Sequence, residues 1–292
     1  MSTKTVELVV SPPLPHFVGD GFRVHNFIPG VYRLDMERMN PFVLLDYASK
    51  FYFSPTDIPR GVGVHPHKGF ETVTIAYKGK VAHHDSHGGG GVIGEGDVQW
   101  MTAASGILHK EYHEKEWSRQ GGDFQMVQLW VNLPKKDKTS APKYQAIINA
   151  DMPRYALDNN QGEIEVIAGQ YKDVKGIAFT FTPMHLLNAK LKKDAKVEFS
   201  FPAEYNTAIV VIAGSILVNG TEKAPTDNFV LMANDGEQFE IKATSDTATV
   251  LVLSGQPIDE PIAARGPFVM NTEGELRQAY QDFRDGKFGE LE

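Results

Sequence analysis

Short β-strand patterns occur along most of the chain, and they limit its possible folds more than any other feature. Runs rich in Val, Ile, Thr and aromatic residues alternate with Gly, Pro, Asn and Asp, a pattern typical of strands separated by turns. The clearest runs are residues 72–77 (TVTIAY), 126–132 (MVQLWVN), 177–182 (IAFTFT), 208–213 (AIVVIA) and 248–253 (ATVLVL). We therefore predict an all-β fold built from barrels or sandwiches.

Helical patterns are rare, and the clearest one lies near the C-terminus. Apolar side chains recur there at helical spacing, at Leu276, Ala279, Tyr280 and Phe283. Gly286 follows as a plausible end of the helix. The pattern predicts a short C-terminal helix.

The length of the chain and a polar segment near its middle indicate two domains. With 292 residues, the chain can bury two hydrophobic cores. Residues 133–142 (LPKKDKTSAP) are polar, basic and bounded by prolines, as in an interdomain linker. We predict an N-terminal barrel at residues 1–134, a linker at 135–142, and a C-terminal barrel at 143–292 that ends in the helix.

The two halves share a short internal similarity. Residues 71–81 (ETVTIAYKGKV) and 206–216 (NTAIVVIAGSI) both contain a polar residue, Thr, a β-rich run and Gly at matching positions. Together with the central linker, this match favours a duplicated barrel. In this alignment Ser200 and Pro202 stand opposite the two histidines of residues 65–67, so the second barrel would lack that pair of metal ligands.

The composition excludes several classes of function. The 37 acidic and 29 basic side chains give a net charge of -8, which disfavours direct nucleic-acid binding. Cysteine is absent, so any metal must be held by nitrogen and oxygen ligands. Residues 1–10 (MSTKTVELVV) lack the apolar core of a signal peptide, and no apolar run is long enough for a membrane span. We expect a cytoplasmic protein, with a monomer as the default state.

Two pairs of metal-ligand side chains are the main functional signal. His65 and His67 are two positions apart just before a strong strand, and His109 and Glu111 repeat this spacing. In an extended segment, residues i and i+2 point to the same face, so each pair can reach one ion inside a barrel. Three imidazoles and a carboxylate suit iron, manganese, nickel, copper or zinc, and octahedral coordination would leave two positions open for chemistry.

Other polar residues near these pairs allow more than one interpretation. Glu71 is a competing carboxylate ligand or a residue that orients a ligand histidine. His113 lies close enough to reach the rim of a pocket, although a solvated loop is also plausible. The histidines between the pairs could form a surface site, but solvation is expected for His83, His84 and His87. An apolar pocket for a flat substrate could be lined by Phe53, Phe70, Trp100 and Met126, although such residues more often belong to the barrel core.

At this point the sequence resembles the pirin family of the cupin superfamily. Two signatures carry the resemblance: the first surrounds His65 and His67, and the second ends in His109 and Glu111. Three further segments also fit the family over nearly the whole chain. The matching segments are residues 65–74 (HPHKGFETVT), 96–103 (GDVQWMTA) with 106–111 (GILHKE), 129–134 (LWVNLP), 40–46 (NPFVLLD) and 266–272 (GPFVMNT).

The resemblance implies a bicupin that holds metal in its N-terminal barrel alone, with His65, His67, His109 and Glu111 as ligands and Fe(2+) as the usual ion. It also implies quercetin 2,3-dioxygenase activity, in which a flavonol ring is opened with O2 and carbon monoxide is released. Glu111 would then act as the general base on the flavonol hydroxyl. The alternative is a non-catalytic, redox-sensitive iron protein that binds a transcription factor or a metabolic enzyme. The alternatives differ in whether a wide pocket leads to the metal.

Overall fold

The computed structural model describes residues 2–292 and divides into two compact units. The first unit comprises Pro13–Ala150 and Ile258–Glu292. The second unit comprises Asp151–Pro257 and the N-terminal segment that ends at Pro12. This division differs from the predicted one, because each terminal segment belongs to the unit formed by the other half of the chain.

Residues 135–142 also differ from the predicted interdomain linker. They lie within the first unit and begin with a single 3-10 turn, Lys135–Asp137. Lys138 is 1% exposed, and its ammonium group donates hydrogen bonds to Gly69 O, Asn132 Oδ1 and Val269 O. The composition of this segment suits a linker, but three internal acceptors fix its lysine inside the unit.

Twelve strands precede residue 150. They are β1 (Val6–Val10), β2 (His16–Val18), β3 (Phe22–Ile28), β4 (Phe42–Phe53), β5 (Gly61–His67), β6 (Phe70–Lys78), β7 (Val81–Asp85), β8 (Gly90–Ile93), β9 (Val98–Thr102), β10 (Ile107–His113), β11 (Gly122–Asn132) and β12 (Lys143–Ile147).

Fourteen further strands follow residue 150, and the described residues also form three α-helices. The strands are β13 (Arg154–Ala156), β14 (Gly162–Ala168), β15 (Gln170–Tyr171), β16 (Val174–Lys175), β17 (Met184–Lys192), β18 (Lys196–Ser200), β19 (Asn206–Ala213), β20 (Ser215–Val218), β21 (Glu222–Pro225), β22 (Phe229–Met232), β23 (Gln238–Ala243), β24 (Thr247–Gly255), β25 (Ala263–Arg265) and β26 (Phe268–Met270). The helices are α1 (Met36–Met39), α2 (Lys115–Gln120) and α3 (Glu273–Arg284).

The first unit pairs a seven-stranded sheet with a four-stranded sheet. The larger sheet has the order β12-β9-β6-β11-β4-β3-β2, and the smaller one has the order β5-β10-β7-β8. Long alternating strands such as β6 and β11 supply one inward and one outward face, because successive side chains point to opposite sides. The inward faces of the two sheets enclose the interior in which the candidate ligands lie.

The second unit repeats this topology, as the internal similarity predicts. Its seven-stranded sheet has the order β1-β22-β19-β24-β17-β14-β13, and its four-stranded sheet has the order β18-β23-β20-β21. Strand β19, which contains the repeated sequence, occupies the same place in its sheet as β6 does in the first. Aliphatic and aromatic side chains fill the interior of the second unit, among them Phe199, Phe239, Ile209 and Val252. The pair of all-β barrels predicted from the sequence is therefore confirmed.

The predicted C-terminal helix is also confirmed. Helix α3 begins after Thr272, which forms a capping box with Glu275, and it buries Leu276 and Ala279 within the first unit. It also forms the ion pair between Asp282 and Lys68, at 2.9 Å, next to the first histidine pair. The helix therefore supports the segment that follows His67.

One strand prediction is wrong. Residues 177–182 form neither strand nor helix, and Ile177 and Phe179 are each about half exposed, at 50% and 53%. Their alternating pattern resembles a strand, but they follow the short hairpin of β15 and β16, and the hydrogen bond from Ala178 N–H to Ile167 O of β14 does not extend into a strand ladder. Within residues 2–292, no helix is long and apolar enough to cross a membrane.

Candidate metal centre

Two adjacent strands of the smaller sheet bring three histidines together. Strands β5 and β10 pair antiparallel, with His65 opposite His109 and His67 opposite Ile107. The ring centroid of His65 lies 4.8 Å from that of His67 and 4.2 Å from that of His109, and the centroids of His67 and His109 are 4.6 Å apart. Each of the three rings offers a nitrogen within 4.8 Å of those of the other two, so they can share one ion.

The hydrogen bonds of these rings orient them as metal ligands. Nδ1–H of His65 donates to Gly63 O at 2.8 Å, and Nδ1–H of His67 donates to Pro267 O at 3.5 Å. These bonds leave each Nε2 free to donate a lone pair. Nε2 of His109 is buried and has no hydrogen-bond partner among the described residues. An ion bound here would satisfy that nitrogen, so the residues fit a metal.

Burial keeps two of the rings in the form that binds metal. The pKa of His67 and the pKa of His109 both lie well below the ordinary value, chiefly because of burial and secondly because of the neighbouring histidines. Both rings are therefore neutral at physiological pH. Neutral imidazole is the protonation state that a metal requires.

The predicted fourth ligand, Glu111, belongs to an overlapping group. Its carboxylate lies within 4.8 Å of ligand nitrogens of His83 and His109, and all three residues are buried. Oε1 of Glu111 also lies 3.4 Å from Thr74 Oγ1 and accepts a weak hydrogen bond from Gln99 Nε2 at 3.5 Å. The structure thus places His109 in two groups: one with His65 and His67, and one with Glu111 and His83.

His83 is a site residue that the sequence analysis missed. We expected it to be solvated, but it is 1% exposed on β7, directly opposite Glu111 on β10. Its Nδ1 accepts a 2.8 Å hydrogen bond from Gln99 Nε2, and its ring stacks on Tyr144 with centroids 5.4 Å apart. The available signal was the strand alternation of residues 81–85, which buries Val81, His83 and Asp85 but leaves His84 exposed.

An apolar cavity of about 340 Å³ opens onto the candidate ligands. His65, His67 and Glu111 line it, and Gln128 and Asp46 are its other polar side chains. The rest of its wall is formed by Val18, Phe22, Val24, Leu44, Val62, Met126, Trp130, Gly266 and Pro267. This volume and composition are typical of a site for a small, largely apolar ligand.

The predicted pocket residues lie in different places. Met126 lines the cavity. Phe70 lies behind the cavity wall, with its ring 5.0 Å from that of His67 and 4.2 Å from that of Trp130. Phe53 and Trp100 are buried in the core and do not line the cavity. Aromatic character alone therefore did not distinguish the cavity wall from the core.

His113 is part of the core and not of the pocket rim. It is fully buried, and its Nε2 donates to Gly21 O at 2.7 Å. The rings of Phe22, Phe53 and Phe124 pack against it at centroid distances of 5.7, 4.6 and 4.7 Å. Burial lowers its pKa to about 4, so the ring is neutral and serves the packing of the unit.

Glu71 does not face the metal ligands. Thr74, three positions further along β6, contacts Glu111 inside the unit, and residues three apart on a strand point to opposite faces. Glu71 is fully buried, and Thr102 Oγ1 donates to its Oε1 at 2.7 Å. Burial raises its pKa to about 7, although the hydrogen bond from Thr102 acts in the opposite direction. The structure therefore gives no support to the predicted contact between Glu71 and a ligand histidine.

Comparisons with known proteins identify the family. The pirin model matches residues 21–131, and the model of the pirin C-terminal cupin domain matches residues 186–289. A Pseudomonas aeruginosa protein named "Putative quercetin 2,3-dioxygenase" is 47% identical over 94% of both chains, and Pirin-1 of Arabidopsis thaliana is 35% identical over 93% of this chain and 90% of its own. A crystal structure of quercetin 2,3-dioxygenase from Acinetobacter baumannii matches with a TM-score of 0.93 and 46% identity over 100% of both chains. The chain therefore belongs to the pirin family, as its two sequence signatures and its two barrels indicate.

Proposed function

We propose that this protein is a metal-dependent dioxygenase that opens the ring of flavonols, as a quercetin 2,3-dioxygenase does. The observation that carries the proposal is the apolar cavity that leads to His65, His67 and Glu111. A protein that only senses redox state through its iron would not need such a cavity. The names of the relatives from P. aeruginosa and A. baumannii support the same reaction.

We propose Fe(2+) as the ion, held by His65, His67, His109 and Glu111. When bound, the metal would lower the pKa of the flavonol hydroxyl and supply the redox chemistry for O2. The same donor set accepts manganese, nickel, copper or zinc, so elemental analysis of the purified protein tests this part of the proposal.

Glu111 would act as the general base. Its side chain faces the cavity and is buried beside His109, so it can accept the proton of a flavonol hydroxyl that points toward the histidines. Thr74 and Gln99 contact Oε1 of this carboxylate from the opposite sheet. The apolar wall, including Met126 and Trp130, would keep a flat substrate in place and exclude water from the reacting ring.

The experiment follows quercetin loss and carbon monoxide release in air, with iron-loaded protein and with protein freed of metal by a chelator. We expect turnover that requires metal, and a decrease in kcat of about 100-fold or more in a Glu111→Gln variant with matched metal content. Glu95→Gln is a suitable control, because Glu95 is exposed and pairs with Lys78 outside the cavity.

Two results would count against the proposal. Iron-loaded wild-type protein that consumes no quercetin would remove the flavonol dioxygenase function. A Glu111→Gln variant that turns over at the wild-type rate would remove the role of Glu111 as the base, while leaving the reaction itself in place.

A further inference from the structure

A row of polar side chains runs across the larger sheet of the first unit in strict register, and two of its members, Asp46 and Gln128, line the cavity. Asn26 on β3 pairs with Asp46 on β4, Asp46 pairs with Gln128 on β11, and Gln128 pairs with Thr74 on β6. Thr74 in turn pairs with Gln99 on β9. Five adjacent strands therefore each contribute one hydrogen-bonding side chain to the same inward line.

Hydrogen bonds fix most members of this polar row. Thr74 Oγ1 donates to Gln128 Oε1 at 2.7 Å, and Thr74 also contacts Glu111. At the other end, Asn26 Nδ2 donates to Asp46 Oδ1 at 2.7 Å and to Ile28 O at 3.0 Å. Oδ2 of Asp46 has no hydrogen-bond partner among residues 2–292, and Asp46 lines the cavity. Asp46 thus presents an unused acceptor to whatever occupies the cavity.

The second unit shows that this barrel does not need a polar row in order to fold. The five equivalent strands of its larger sheet also each contribute one residue to a line of directly paired positions. All five of these residues belong to its hydrophobic core. They are Val166, Leu187, Val252, Ile209 and Val230 on β14, β17, β24, β19 and β22. Since aliphatic residues fill these positions in one barrel, the polar side chains in the other are better explained by binding than by folding.

We propose that Asp46 determines specificity by accepting a hydrogen bond from a hydroxyl group on a ring of the ligand other than the ring that carries the metal-binding oxygens. The inference rests on the proposed flavonol function and adds to it the kind of substituent that the site selects. Partial burial, which raises the pKa of Asp46, also removes competing water from its carboxylate and strengthens such a bond.

The register sets the size of the ligand. Asp46 and Thr74 are separated by two strand spacings, or roughly 9–10 Å, and Thr74 contacts Glu111 beside the ligand histidines. A ligand that reaches from the histidines to Asp46 must therefore extend across two or three rings. A flavonol with its chelating oxygens at one end and a hydroxyl on a distant ring meets this requirement.

Binding of three flavones to the iron-loaded protein without O2 tests the proposal, because no turnover then interferes. The probes are 3-hydroxyflavone, 3,7-dihydroxyflavone and 3,4′-dihydroxyflavone, which share the chelating group and differ in one distant hydroxyl. Quenching of tryptophan fluorescence reports binding, since Trp130 lines the cavity. We expect wild-type protein to bind at least one dihydroxyflavone about tenfold more tightly than 3-hydroxyflavone, a difference of about 1.4 kcal/mol.

Substitution of Asp46 should remove this preference. In Asp46→Leu, the ratio of the dihydroxyflavone affinity to the 3-hydroxyflavone affinity should fall below about threefold. Asp46→Asn keeps the shape of the side chain, and its amide oxygen still accepts a neutral hydrogen bond, so this variant should give an intermediate ratio. Asp123→Leu is the matched control: Asp123 is half exposed on β11 and lies outside the cavity, so the wild-type ratio should persist.

The outcomes separate this inference from the function on which it rests. Equal binding of all three flavones by the wild type, or an unchanged ratio in both Asp46 variants, would overturn the role of Asp46 alone. If no flavone binds, or if removal of iron does not weaken binding, the flavonol function fails and the role of Asp46 fails with it.

Discussion

Replacement of Glu71 by Gln is expected to stabilise the protein at neutral pH and to leave its stability in acid nearly unchanged. Glu71 is fully buried, and burial raises its pKa from 4.5 to about 7. Between these two values the folded protein keeps a proton on Glu71 that the unfolded chain has lost. The free energy of unfolding therefore falls as the pH rises through this window, and the penalty is complete above pH 7.

The magnitude follows from the size of the pKa change. Each pKa unit corresponds to about 1.36 kcal/mol, so a rise from 4.5 to about 7 costs the folded state about 3 kcal/mol once the carboxyl group has ionised. Glutamine has the shape of the protonated acid, and its amide oxygen can still accept the hydrogen bond from Thr102 Oγ1. The variant should therefore avoid this cost at every pH.

Urea unfolding of metal-free wild type and Glu71→Gln, repeated between pH 4 and pH 8, measures the difference directly. Using metal-free protein keeps the loss of metal in acid out of the comparison. The difference in free energy of unfolding should be near zero at pH 4 and rise to about 3 kcal/mol in favour of the variant at pH 8. Glu95→Gln, an exposed substitution of the same type, should show no such trend.

A difference that stays constant from pH 4 to pH 8 would refute the reasoning. It would mean that Glu71 titrates alike in the folded and unfolded chains, so that burial does not govern its pKa. A variant that is less stable than wild type at pH 8 would lead to the same conclusion, because the ionised carboxylate would then be the favoured form.

Two further substitutions test the surroundings of the site. Lys138→Met should lower the free energy of unfolding by about 3 kcal/mol or more in urea titrations, because it removes the ammonium donor from three buried acceptors. Lys136→Met, at an exposed position, should have little effect. His83→Leu should weaken metal binding by about 10- to 100-fold in a competition with a chelator, because it removes the partner of Gln99 and a neighbour of His109. The control His87→Leu changes an exposed histidine and should leave the metal affinity unchanged. Equal metal affinities of the two variants would exclude a role for His83.

The parts of the fold that follow from local pattern were predictable from the sequence. Strand runs such as residues 72–77 and 126–132 lie within β6 and β11. The apolar spacing of α3 correctly gave a helix that buries Leu276 and Ala279, although Phe283 is 40% exposed. The spacing of His65 and His67 requires only that the segment be extended, which β5 satisfies. These predictions depend on residues close together in the chain, where the period of the helix or strand determines the direction in which each side chain points.

The predictions that failed depend on partners far away in the chain. The face on which Trp100 or Glu71 lies follows from strand register, which a one-residue shift reverses. Phe53 packs with Phe22 and Met126, which line the cavity, but does not line it itself. The burial of Lys138 follows from acceptors at residues 69, 132 and 269, and no local property of the segment indicates them. Likewise, His83 becomes part of the site because β7 pairs with β10 opposite Glu111.

The internal repeat carries more functional information than its short length suggests. Aligning residues 71–81 with 206–216 places Thr74 opposite Ile209, so the sequence alone pairs a polar side chain with an aliphatic one at a central strand position. Asp46, Gln128 and Gln99 become the neighbours of Thr74 only through the pairing of β4, β11 and β9 around β6, which no local pattern determines. The same topology therefore supports two interiors: an aliphatic row fills one barrel, and in the other a polar row and an apolar wall leave space beside the histidines. On this reasoning, the two interiors differ because the side chains at five aligned positions differ, and not because the two folds differ.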